Sequence, residues 1–284
     1  MAEIPLIGRS EALDAAERGA SLLTHNQRLA AALKREYAAR QLAAGRSAWP
    51  APDILPWGAW LARLLDDARH DGGPALPRLL SDLQERALWE RAIAGSPEGA
   101  GLLQPAAAAR ECRDAWALAH DWDLMAQLRA FPKNEDAAAF LAWGERYRAG
   151  CDSLGATDAA RLPGLCAKLV TEGRVPAVAS IVACGFDRMD PARRALLAAC
   201  GGRGSGVALL ASPPARARPL RLEFISAREE LAAAARWART RLAANAAARI
   251  GIVVPDLAAA RSRVMRSLTD ALDPAARLPG RAGA

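Results

Sequence analysis

The sequence predicts an α/β fold, with a parallel, doubly wound sheet interrupted by a large all-helical insertion. Three observations carry that reading. Short apolar runs alternate with amphipathic helical stretches on both sides of the insertion, as strands joined by crossover helices do. Residues 57 to about 172 follow the helical period almost throughout. Proline and glycine clusters fall at the joints of this pattern.

The first unit reads as strand then helix. Ala20-Ser21-Leu22-Leu23 is a short apolar run, and Leu29, Leu33, Tyr37 and Leu42 then recur near the helical period from Gln27 onward. Thr24 or Asn26 can cap that helix, because either side-chain oxygen can accept an orphan amide proton of its first turn. Gly45 follows its end as a stop signal. Three prolines between Trp49 and Pro56 exclude a helix and predict extended chain or a short edge strand.

Helices are predicted near 57–70, 78–94, 105–130, 134–150 and 157–172. Phe140, Trp143 and Tyr147 share one helical stripe, and seven of the eight tryptophans lie between Trp49 and Trp143. A helical subdomain packed around those rings follows. After Pro176 the pattern returns to strands at 178–183, 207–211, 220–225 and 250–254. Helices are predicted at 191–200, from Ser226 onward, and at 257–272. Pro191 suits a first helical turn, and Ser226-Ala227-Arg228-Glu229 matches a capping box. The organisation read from this pattern is a core of residues 1–56 and 175–219, an insertion at 57–174, and the start of a second α/β domain at 220–284.

The chain has 284 residues, a net charge of +7 and only three lysines among 38 basic side chains. Residues 201–284 carry 14 arginines against six acidic residues, so the basic character belongs to that stretch. Such a field attracts phosphate backbones, although the same arginines also read as solvated helix faces. No apolar run approaches the roughly 20 residues needed to span a bilayer, and Met1–Arg9 has no signal-peptide pattern. The five cysteines form no Cys-x-x-Cys pair and read as free thiols of a reducing, cytoplasmic compartment.

The chemistry of a nucleotide engine is missing from the motifs. Lys34, Lys133 and Lys168 each lack the glycine-rich context of a P-loop, whose backbone amides wrap phosphates. The run from Gly201 to Gly206 joins a helix to a strand, the reverse of a dinucleotide fingerprint. His25, His70 and His120 have no metal-ligand spacing, and there is no Gly-x-Ser-x-Gly elbow. Asp190, directly before Pro191, reads as a helix cap. The expectation is a chain with no catalytic residue and no cofactor of its own.

Three stretches carry a family resemblance. Leu23-Thr24-His25-Asn26-Gln27-Arg28-Leu29-Ala30 resembles the "T-x-N-x-R-L-A" segment after the second strand of AddB- and RecB-like helicase–nuclease proteins. Cys184-Gly185-Phe186-Asp187-Arg188-Met189-Asp190-Pro191 resembles the element after their Walker-B strand. Arg228-Glu229-Glu230-Leu231, followed by Ile250 to Leu257, resembles the opening of their second helicase domain. The resemblance spans essentially the whole chain and implies a P-loop-helicase-like sheet of superfamily-1 type. It also implies that the nucleotide site is inactivated: the Walker-A lysine is missing, and Cys184 stands where active relatives place the Walker-B aspartate.

The resemblance further implies DNA repair or recombination, with the nuclease of PD-(D/E)XK type lying beyond this chain, which would then be an N-terminal fragment or truncated product. Its partners would be single-stranded DNA or DNA ends, and an active helicase–nuclease subunit. Thr24, Asn26 and Arg28 would contact the DNA backbone, with Arg35 further along the same helix and Trp57 as a stacking platform. Thr24 and Asn26 read equally as caps, and Trp57 and Trp60 as core residues. The alternative function is a protein-interaction scaffold of a nuclease complex with little direct DNA binding.

Overall fold

The computed structural model describes residues 4–70, 73–131, 134–212 and 219–273. The chain divides into two compact units, residues 1–213 and 214–284. The first unit is built on five parallel strands: β1 (Leu6–Ile7), β2 (Ser21–Thr24), β3 (Ile54–Pro56), β6 (Ser180–Cys184) and β7 (Gly206–Leu210). Their order across the sheet is β1-β7-β6-β2-β3, so β2 and β6, distant in sequence, lie side by side. The register pairs Leu22 with Val182, Leu23 with Ala183, and Thr24 with Cys184.

Alternation along the central strands sends side chains to opposite faces, and helices cover both. Leu22, Val182 and Cys184 pack with α1 (Arg9–Glu17) and α2 (Gln27–Ala43). Leu23, Ile181 and Ala183 pack with α3 (Trp57–His70), α8 (Leu162–Thr171) and α9 (Pro191–Gly202). The sheet is therefore doubly wound. Ser21 and the Arg63 guanidinium both bond the Asp53 carboxylate, tying the start of β2 to α3 and to the residue preceding β3.

A separate helical core runs from Leu80 to Ala160 and is carried by α4 (Asp82–Ala94), α5 (Pro105–Asp121), α6 (Met125–Ala130) and α7 (Glu135–Ser153). Trp89 stacks on Tyr147 at 4.2 Å, and Trp116 meets both rings edge-on. Buried Ser96 accepts from Trp143 Nε1 at 2.7 Å and from the Gly99 amide at 2.9 Å, and donates to the Ile93 carbonyl. The insertion predicted at 57–174 is thus narrower as an independent core. Its two outer helices, α3 and α8, pack on the sheet instead.

Several elements depart from the sequence reading. The stretch predicted as a helix from residue 78 begins with β4 (Arg78–Leu79), which pairs in parallel with β5 (Ala156–Thr157). Helix α4 starts only after Ser81, whose capping box with Gln84 sets its first turn. The helix predicted at 105–130 breaks after Asp121, where Asp123 adopts φ 54°. In the second unit, α10 (Ala227–Ala244) and α11 (Leu257–Leu272) form as predicted. Ser226 accepts the Glu229 amide, one half of the predicted capping box.

The strands predicted at 220–225 and 250–254 are absent among the described residues. Neither segment has a ladder partner there, and without one an apolar run stays solvated chain. Leu220, Ile225 and Val253 are 88%, 96% and 91% exposed. Residues 213–218 and 274–284 of the predicted domains, with Lys133, lie outside the described residues. No helix among the described residues is long and apolar enough to cross a membrane.

Candidate nucleic-acid interface

In open α/β sheets, ligands settle at the carboxyl ends of the strands. Here that edge is formed by the residues after β2, β3 and β6. The β2–α2 turn is held from both sides: the His25 amide donates to the Cys184 carbonyl at 3.1 Å, and Thr24 Oγ1 donates to the Asn26 carbonyl at 2.9 Å. Asn26 is extended and accepts the Leu29 amide at 2.8 Å, so it is the cap of α2. Its amide NH2 makes no bond to any described residue, and the residue is exposed.

Arg28 and Arg35 are exposed and seven residues apart on α2, which places them on one helix face. Neither forms an ion pair or side-chain hydrogen bond with a described residue. Lys34 is exposed beside Arg35, and its charge helps to lower the Asp53 carboxyl. This face presents unneutralised cations that start in the capped turn and run along the helix from it.

Two predicted contacts take a different role. Thr24 is fully buried and its hydroxyl is spent on Asn26, so it shapes the turn and does not face solvent. Trp57 is 6% exposed, lying 5.2 Å from the Trp60 ring and edge-on to Phe186 at 5.9 Å. The Arg193 guanidinium sits 5.8 Å from the Trp57 centroid and 5.7 Å from that of Phe186. Trp57 therefore offers no open stacking face; an aromatic at the first turn of an apolar helix is drawn into the core by its area.

The loop after β6 was only partly readable from its residues. Gly185 has φ +76°, and a Cβ there would lie 2.6 Å from Leu29 Cδ2, so this loop and the first turn of α2 touch backbone to side chain. Asp190 caps α9 through the Arg193 amide at 2.8 Å and also pairs with the Arg193 guanidinium. Burial pushes the Asp121 carboxyl up, Arg193 draws it down, and Asp190 adds to the rise. Arg193 thus links Trp57, Phe186, Asp190 and Asp121. Nothing in its sequence context sets it apart from the many other arginines.

The positions that the resemblance compares with a nucleotide site are equally plain. Strand β1 passes into α1 through Gly8 alone, whereas a phosphate-cradling loop needs several residues between strand and helix. At the end of β6, burial pushes the Cys184 thiol up to about 12, so the group there is a neutral thiol bonded weakly to the Val182 carbonyl at 3.6 Å. No group of three or more His, Cys, Asp or Glu among the described residues could hold a metal ion.

No family model matches the chain, and no curated protein matches it.

Proposed function

We propose that this chain is a non-catalytic, P-loop-helicase-like domain of the AddB/RecB type that holds single-stranded DNA and supports a repair nuclease. The observation that carries the reading is the exposed, unpaired Arg28–Arg35 face of α2, a helix whose first turn lies at the carboxyl edge of a parallel sheet. Guanidinium groups and the free amide of Asn26 suit phosphate oxygens, which fix a strand's path without reading its sequence. The one-residue β1–α1 connection and the neutral Cys184 support a fold that binds DNA without burning nucleotide. Burial of Thr24 and Trp57 favours the second reading, a protein-interaction scaffold with little direct DNA contact.

Anisotropy of a labelled single-stranded oligonucleotide separates the two. Arg28→Gln with Arg35→Gln removes two cations and leaves the buried faces intact. Affinity should fall by about an order of magnitude at 0.1 M salt, with an unchanged circular dichroism spectrum. Absence of binding by the parent supports the scaffold, whereas equal affinity for variant and parent removes Arg28 and Arg35 from the contact. ATP turnover by the purified chain would contradict the non-catalytic reading.

A further inference from the structure

The second unit carries a groove that the α2 face does not account for. One wall is the first turn of α10, with Ala227, Arg228 and Leu231. The other is α11, where Arg263, Arg266, Ser267 and Asp270 stand at i, i+3, i+4 and i+7, a single stripe. The two helices pack against each other, and Ala235 and Ala238 on α10 and Val264 on α11 are buried. The groove has a volume of about 400 Å³.

Charge distinguishes this groove from an ordinary helix crevice. Arg228, Arg263 and Arg266 are exposed and bond no described residue, while Asp270 is engaged in an interaction of its own. Glu229 and Glu230 share the first turn of α10 but do not line the groove. Three guanidinium groups bordering one concavity repel one another, and an anion seated among them relieves that repulsion. Their planar forks match the oxygens of a phosphate, and Ser267 adds a hydroxyl donor. The apolar floor is limited to Ala227 and Leu231, too little to recommend an apolar ligand.

We infer that the groove between α10 and α11 is a second nucleic-acid site, seating a backbone phosphate on Arg228, Arg263 and Arg266. The choice of nucleic acid as the source of the phosphate rests on the DNA-binding reading above. The site itself lies in a different unit, so the two fail separately.

The test uses the full chain and the same labelled oligonucleotide over a salt series, comparing Arg263→Gln/Arg266→Gln with Arg28→Gln/Arg35→Gln. Loss of two phosphate contacts should lower the log–log salt slope by about 1.4 and weaken binding by about an order of magnitude at 0.1 M salt. The two pairs of substitutions should add. If the groove variant binds like the parent while the α2 variant weakens, the groove inference is overturned and the first reading stands. If only the groove variant weakens, DNA binding belongs to the second unit and the α2 assignment is wrong. Absence of any binding at low salt overturns both.

Discussion

Replacing Gly185 by alanine tests how the edge of the sheet is assembled. The residue sits at φ +76°, where an L side chain costs about 1–2 kcal/mol. Its Cβ would also lie 2.6 Å from Leu29 Cδ2, well inside the usual carbon–carbon contact of about 3.5–4.0 Å. Leu29 must turn away, at about 0.5–1.5 kcal/mol for an off-rotamer position, and it loses packing against the α1–α2 core. The stiffer unfolded chain returns about 0.4–1 kcal/mol. The net loss is about 2 kcal/mol, or roughly 1 M in urea midpoint at a slope of about 2 kcal/mol/M. Tryptophan fluorescence during urea unfolding measures it. Gly58→Ala is the internal control, since Gly58 lies within α3 with open space around its Cβ position, and it should leave the midpoint level or slightly raised. Coincident midpoints for the two variants would refute the close approach between the β6 loop and α2.

Other consequences follow from the same geometry. Thr24→Val keeps the buried shape and removes the bond to the Asn26 carbonyl, so stability should drop by about 1 kcal/mol, read from urea midpoints. Ser96→Ala leaves buried Trp143 Nε1 and the Gly99 amide without their acceptor and should cost about 1–3 kcal/mol by thermal unfolding. Burial raises the Asp53 carboxyl, but bonds from Arg63 and Ser21 and the neighbouring cations outweigh it and hold it below its ordinary value. Its contribution is therefore complete above about pH 4 and is lost as pH falls through the lowered folded value; Asp53→Asn should flatten that acid limb in midpoints measured from pH 2 to 6. Glu85 runs the opposite way: burial raises it, so its contribution is present below its ordinary pKa and fades as pH rises through the folded value. Glu85→Gln should remove that decline over the same series.

What the sequence disclosed depended on how much pattern each element carries. The β2–α2 unit has a four-residue strand, a strong cap and a long amphipathic helix, so its position and its cap were readable. Strand β1 has only Leu6 and Ile7, with a half-polar helix behind it, and leaves no periodic trace. It was missed although it forms one edge of the sheet. The runs at 220–225 and 250–254 failed in the other direction. Their composition fits a strand, but a strand exists only with a neighbour, which local pattern does not record.

The candidate site divides the same way. The family resemblance drew attention to Thr24, Asn26 and Arg28, with Arg35 and Trp57 added from the residues that follow, yet only burial separates them. Thr24 and Trp57 are interior parts of the turn and the core, while Asn26, Arg28 and Arg35 face solvent. The α10–α11 groove was present in the sequence only as an excess of arginine. Its stripe on α11 gains meaning once Arg228 is seen on the facing helix.

The measurement that bears most directly on the whole account is the affinity of the intact chain for single-stranded DNA across a salt series. Binding should strengthen steadily as salt falls, with a log–log slope of about −0.7 for each phosphate held. A flat dependence, or no binding at low ionic strength, would contradict a DNA-holding role and leave the scaffold reading in its place.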